Sequence, residues 1–199
     1  MLRQYCVMTE SKETMASDIT HPLIEQFQAN CEKLLHEMAA YLHEVVSGKS
    51  IPQRQGKVAD RVVAVFFEYQ FDDFDMLFWL ANPQGKPIKR VEPLPKAPNP
   101  YHGIDDADLE ERLLTAGLKD EDVDDCIWAY HHELTTRFEA WFFRCWKTVA
   151  AAKEAIVPAY FSVHDTLYYT DLATFEEIRA DEIDRKHSFG NQGLFVDAC

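Results

Sequence analysis

The stretch VVAVFFEYQF (Val62–Phe71) decides the fold of this chain. Its side chains alternate as in a β-strand, and both faces of that strand are apolar. Such a strand has to be covered on both faces, so we expect it at the centre of a sheet. One face carries Val63, Val65, Phe67, Tyr69 and Phe71, and the other carries Val62, Ala64 and Phe66.

The residues after this strand predict an antiparallel meander. Asp72 and Asp73 form a turn, and Phe74–Ala81 reads as a second strand. The run NPQG (82–85) fits a type I turn, because proline favours its second position. Pro87–Val91 is then expected to return as a third strand at the sheet edge.

The C-terminal part alternates with a period of two again. It predicts a strand over Ala159–Val163 and a returning strand over Leu167–Thr170, which together make a hairpin. Asp171 or Thr174 is expected to cap a short helix that continues through Ile183.

A long amphipathic helix is predicted near the N-terminus. Apolar residues recur at three- and four-residue spacing from Ser17 until Gly48. Asp18 or Thr20 is expected to cap its start. Residues 1–17 are therefore predicted to be a flexible arm.

Two further helices are predicted in the middle of the chain. The first runs from about Asp105, a natural N-cap, to Ala116, and Gly117 suits its end. The second starts near Asp120 and reaches about Ala150. Residues 92–103 contain four prolines and form either a linker between subdomains or a loop over the sheet.

Strands and helices are segregated along the chain, so the predicted fold class is α+β. We expect an antiparallel sheet, built from the meander and the C-terminal hairpin, with the long helices packed on one face. Residues 18–199 are expected to form a single domain. The chain has 199 residues, of which 47% are apolar, enough for a substantial core.

The formal net charge of −14 restricts the class of partner. A surface of this sign repels nucleic-acid phosphates and anionic membranes, so neither is expected as a partner. A cationic protein would gain association rate and specificity from the same field. Solubility alone is the other explanation for the charge.

The cysteines and the N-terminus favour a cytoplasmic protein. Cys31, Cys126 and Cys145 fall on apolar helix faces, where cysteine behaves as a small hydrophobic residue in a reducing compartment. The N-terminal residues lack the apolar run of a signal peptide. No stretch approaches the roughly 20 apolar residues of a membrane span.

Metal-ligating and phosphate-binding patterns are weak. Glu32, His36 and His43 share one face of the first helix, but no second Glu-x-x-His answers them. The run HHE (131–133) lacks the further histidine of a zinc protease motif, so its histidines are expected to face solvent. No glycine-rich phosphate loop occurs. We therefore predict neither a metal nor a cofactor.

Nucleophilic chemistry is also weakly indicated. Ser162, His164 and Asp165 bring together the residue types of a hydrolase triad. Because adjacent strand residues point to opposite faces, His164 and Asp165 are not expected to form a relay. We predict no catalytic residue.

The run KDEDVDD (Lys119–Asp125) places five acidic residues directly before an aromatic helix. Helix N-termini favour acids by about 0.3–1 kcal/mol each, which explains two or three of the five. Asp105, Asp106 and Asp108 repeat the arrangement one helix earlier. The surplus charge is either a solvated surface or a docking surface for a basic protein.

An acidic, aromatic-rich α+β chain without an active-site motif resembles bacterial immunity proteins, which neutralise a toxin made by the same cell. The resemblance covers overall architecture and charge. It implies direct binding to a cationic toxin domain, often a basic nuclease, with exposed aromatic residues as apolar anchors. The expected partner-binding residues are Asp72, Asp73, Asp75, Asp105, Asp106, Asp108, Asp120, Glu121, Asp122, Asp124, Asp125, Phe143, Tyr168 and Tyr169.

Two alternatives remain open. One is a small cytoplasmic enzyme, such as a metal-dependent hydrolase, with a pocket assembled from scattered residues. That pocket would lie between the proline-rich loop and the sheet and would use His102, His164 and nearby acids. The other is a structural or adaptor subunit, which would form a stable oligomer.

Overall fold

The computed structural model of the protein describes residues 10–46, 62–88, 96–151 and 157–189. Within these ranges the chain forms four helices and five strands, which confirms the α+β class. In chain order the elements are α1 (Glu10–Val46), β1 (Ala64–Tyr69), β2 (Met76–Ala81), α2 (Asp106–Thr115), α3 (Asp120–Ala151), β3 (Ala159–Val163), β4 (Tyr168–Asp171), β5 (Glu176–Arg179) and α4 (Ala180–His187).

The residues form two compact units. One, here called the helical unit, comprises Met1–Lys33 and Pro100–Trp141. The other, the sheet unit, comprises Leu34–Asn99 and Phe142–Cys199. Since α1 and α3 each contribute residues to both units, a single domain over residues 18–199 stays a prediction.

The sheet has the strand order β2-β1-β3-β4-β5, so β1 lies inside the sheet as expected. The pairs β1–β2, β3–β4 and β4–β5 are antiparallel, but β1 and β3 are parallel. The sheet is therefore mostly antiparallel, and the sequence did not indicate its parallel pair. The connection from β2 to β3 contains two helices and is long enough to bring β3 into the sheet in the direction of β1.

The turn after β2 is confirmed. Gly85 donates its N–H to the carbonyl of Asn82 at 2.9 Å. In the predicted third strand, Pro87 forms an isolated bridge with Ala81. Residues 89–91 of that strand lie outside the described ranges.

All six residues of β1 are buried. On one face, the Phe67 ring lies 5.6 Å from that of Phe142 and 5.8 Å from that of Trp146, both on α3. Tyr41 of α1 packs edge-on against Phe78 on the same face. Within the sheet unit, the two long helices therefore cover one face, as predicted.

The second face of β1 is also covered. Phe66 stacks on Trp79 at 4.1 Å and on Tyr160 at 5.2 Å between ring centroids. Ile183 of α4 belongs to the same buried cluster, together with Phe189. Because both faces of β1 are apolar, the face opposite the long helices must also be buried. The short helix α4 covers part of it.

The predicted helix from Asp171 through Ile183 is wrong over its first half. Asp171 instead accepts the N–H of Phe175 at 2.7 Å and closes a turn in which Phe175 has a φ of +61°. Glu176–Arg179 then pairs with β4 as β5, and α4 begins only at Ala180.

Helix α1 begins at Glu10, seven residues before the predicted start at Ser17. Residues 10–17 are therefore helical rather than part of a flexible arm, and residues 1–9 lie outside the described ranges. Ala16 is buried and extends the apolar stripe toward the N-terminus. Thr20 donates to the carbonyl of Ala16, so it lies inside the helix and is no cap.

The predicted caps of α2 are confirmed. Asp105 accepts the N–H of Asp108 at 2.9 Å, and Gly117 follows the helix with a φ of +100°. The next helix, α3, begins at Asp120 and ends at Ala151, close to the predicted bounds.

A polar cluster fixes α4 to the sheet. The Tyr160 hydroxyl lies 2.7 Å from Nε2 of His187, and Lys186 donates to Asp171 at 2.7 Å. The hydrogen bond to Asp171 raises the pKa of Lys186. Burial, followed by the charge of Lys186, lowers the pKa of His187 below its usual 6.5.

We expect the chain to lose stability as the pH falls below about 6.5, with His187 contributing to the loss. Because folding lowers the pKa of His187, the unfolded chain binds more protons in this range, and the free energy of unfolding decreases. His187→Gln should flatten the pH dependence, whereas His36→Gln, at an exposed position, should leave it unchanged. Urea denaturation from pH 5 to 8 measures both, and an unchanged slope in His187→Gln would contradict the expectation.

Candidate functional site

The negative charge is concentrated in one of the two units. The helical unit has 17 acidic and 6 basic residues and carries −11 of the total −14. The sheet unit has 17 acidic and 14 basic residues and is nearly balanced. Eight of the eleven predicted partner-binding acids belong to the helical unit, so the strongest candidate site is its acidic surface.

The acids at the start of α2 differ in the contacts that they make within the chain. Asp105 caps the helix. Asp106 lies 2.7 Å from Nε2 of His131, which is buried, so the expectation of a solvent-facing histidine is wrong there. Asp108 is exposed.

At the start of α3, four of the five acids remain accessible. Asp120, Glu121 and Asp124 are exposed, and Asp125 is half-buried. Asp122 is 5% exposed and pairs with Lys12 of α1. Asp122 is therefore not available to bind a partner, because its carboxylate stabilises the packing of α3 against α1.

The predicted acids at residues 72–75 belong to the sheet unit. Asp72 and Asp73 are exposed, and the Asp73 carboxylate accepts the N–H of Asp75. Partial burial opposes ionisation of Asp75, but hydrogen bonds from Lys96 and Asn99 lower its pKa overall. Asp73 and Asp75 therefore stabilise this loop, and Lys96 compensates part of the charge of Asp75.

The predicted aromatic anchors also belong to the sheet unit. Tyr168 is 48% exposed and Tyr169 only 2%, so one of these two adjacent tyrosines faces solvent. Phe143 is half-buried against Phe161 and Phe175. Only Tyr168 is therefore well placed to contact a partner.

An exposed aromatic residue in the helical unit was not singled out from the sequence. Trp128 is 47% exposed and stacks on His132 with 5.1 Å between the ring centroids. It lies one helical turn after Asp124 and Asp125. Helical spacing from the acidic run was the signal that could have identified it.

The sheet unit contains a buried carboxylate that sequence reasoning also missed. Glu68 accepts hydrogen bonds from Trp79 Nε1 and Tyr169 Oη, each at 3.0 Å, and lies 3.0 Å from His164 Nδ1. Burial, followed by the charge of Glu68, raises the pKa of Tyr169. Glu68 is the one charged residue of the opening stretch, and this break in an apolar strand was the available signal.

The triad residue types meet differently from the expectation. His164 Nε2 lies 3.4 Å from Asp165, because Asp165 leaves the strand in a turn with a φ of +59°. Alternation along a strand therefore does not separate these two residues, and the expectation that they form no relay stays a prediction. Ser162 is 5% exposed with a fully buried hydroxyl, which keeps a substrate away from it.

The two histidines of the enzyme alternative belong to different units. His102 belongs to the helical unit and lines a cavity of about 30 Å³, whereas His164 belongs to the sheet unit. Glu32 and His36 are exposed on α1. In the described parts of the chain, no three metal-ligating side chains lie close enough together to hold an ion. Nor does any helix there combine the length and apolarity needed to cross a membrane.

We expect Lys12→Met to destabilise the chain by about 3 kcal/mol, since it leaves the buried Asp122 carboxylate without its counter-ion. Lys12→Met combined with Asp122→Leu should recover part of this loss. Lys119→Met removes an exposed pair with Glu121 and should cost less than about 1 kcal/mol. Urea denaturation measures all three, and equal costs for the two lysine variants would refute the assigned role of Lys12.

Comparison with protein-family models, curated proteins and solved structures finds no match to this chain. The resemblance to immunity proteins therefore stays a prediction. What the chain does is inferred from its own charges, contacts and cavities.

Proposed function

We propose that this chain is a cytoplasmic protein-binding module that neutralises a cationic protein partner by direct binding, in the manner of bacterial immunity proteins. The observation that carries the proposal is the concentration of charge, with −11 of −14 in the helical unit. Solubility alone does not require such an uneven distribution.

Capping explains only part of this charge. Asp105 caps α2 and Asp122 is paired with Lys12. Asp108, Asp120, Glu121 and Asp124 remain exposed. Acids that are exposed and close in sequence repel one another, and a cationic partner relieves that repulsion while gaining association rate.

The cytoplasmic part of the proposal is supported by the cysteines. Cys31, Cys126 and Cys145 are buried and are not joined in disulfides. Burial, followed by the charges of Asp122 and Asp125, raises the pKa of Cys126 and disfavours its reactive thiolate. Buried, unreactive thiols suit a reducing compartment and a binding role better than a catalytic one.

The partner is to be identified by affinity capture from the native lysate at low salt with elution in a salt gradient. A stoichiometric basic protein that elutes at high salt is the expected result. If that protein has a toxic activity, the chain should abolish it at a 1:1 ratio. A captured enzyme substrate or a stable oligomer of the chain itself would favour one of the alternatives.

We expect the triple variant Asp120→Asn, Glu121→Gln, Asp124→Asn to slow association with the captured partner by about tenfold, because these charges attract the partner before contact. The dissociation rate should change less. The matched control is Glu37→Gln, Glu176→Gln, Glu177→Gln, which removes the same charge from exposed positions of the sheet unit. Stopped-flow mixing at two salt concentrations measures both rates, and equal slowing by the two triples would assign the effect to net charge alone.

A further inference from the structure

An open groove lies between α1 and α2, with both walls in the helical unit. Its volume is about 710 Å³, within the roughly 300–1,000 Å³ typical of ligand sites. Ile19, Pro22 and Leu23 line the α1 side of the groove, which is apolar and is here called its floor. Asp108 and Glu111 of α2 line the opposite wall.

The apolar floor is only partly covered by the chain. Ile19 and Leu23 are half-buried and Pro22 is exposed, although α2 buries Leu109 and Leu113 on another of its faces. These accessible apolar side chains offer a partner a small apolar surface to cover.

The charge of the groove selects its occupant. Asp18, Asp108 and Glu111 face it, and Arg112 is the one basic residue among the described residues that line it. A second copy of this chain would bring acids against acids. An occupant with lysine or arginine beside apolar side chains would cover the apolar floor and pair with the acids of the wall.

The dimensions suggest the form of that occupant. The wall from Asp108 to Ala116 covers eight residues of rise, or about 12 Å. That length matches about two turns of a helix, whose side chains at i, i+3, i+4 and i+7 share one face.

We propose that this groove receives an amphipathic, basic helix of the cationic partner, with its apolar face on Ile19, Pro22 and Leu23 and its lysine or arginine residues against Asp108 and Glu111. The inference rests on the proposed function and narrows it. In this proposal the groove binds the apolar face of the partner helix. The acids at the starts of α2 and α3 attract the partner from a distance.

The probe is an 18-residue synthetic peptide with leucine at helical spacing and lysine elsewhere. A second peptide of the same composition has the leucines redistributed to remove the helical period. Fluorescence anisotropy at low salt should show at least tenfold tighter binding of the periodic peptide to the full chain.

Two groove variants test the position. Glu111→Lys reverses a charge on the wall, and Ala116→Trp fills the groove at an exposed position. Each should weaken binding of the periodic peptide at least tenfold. The matched controls, Glu110→Lys on α2 and Ala140→Trp on α3, lie outside the groove and should change it less than threefold. Circular dichroism and urea denaturation establish that each variant is folded.

The outcomes separate this inference from the proposed function. Equal binding of both peptides, or equal effects of groove and control variants, overturns the groove while captured cationic partners still bind to the acidic surface. Failure of every cationic protein and peptide to bind overturns both. Self-association in sedimentation experiments that Ala116→Trp abolishes would assign the groove to a second copy and overturn the inference.

Discussion

The sheet unit depends on the burial of β1 on both faces. Its six residues are all buried, which requires a strand on each edge and apolar cover above and below. β2 and β3 supply the edges, Phe142 and Trp146 cover one face, and α4 covers part of the other. Because the pair with β3 is parallel, the chain needs a long connection, and the segment 100–141 of the charged helical unit lies within it. The segment that contains the acidic helices thus also provides the length of connection that the parallel pair requires.

The sequence predicted those parts of the fold that local chemistry determines. The cap at Asp105, the glycine after α2 and the NPQG turn depend on residues within one turn of each other, and all are as expected. The parallel pair, β5 and the start of α1 were missed. The parallel pair depends on residues far apart in the chain, and β5 depends on pairing with β4, because the run Glu176–Arg179 by itself suits a helix as well as a strand.

The sequence predicted the negative charge of the candidate site but not which acids form it. Composition gave the charge, and the acidic runs gave the starts of α2 and α3. Packing decides which acids already have a partner within the chain. Asp122 pairs with Lys12, 110 residues away, and Asp106 pairs with His131 on the next helix. The groove was invisible for the same reason, since its two walls are separated by more than 80 residues of chain.

Glu68 has a consequence for how the sheet assembles. Its hydrogen bonds from Trp79 and Tyr169 exist only when β1 presents even-numbered residues to the face that α4 covers. A slip of one residue along β2 or β3 would turn the carboxylate toward the aromatic side chains of α3, where a buried, unpaired charge costs several kcal/mol. The rest of β1 is apolar on both faces, so it could pack with either face toward the long helices. This single acid therefore distinguishes the native register from its closest misfolded alternative.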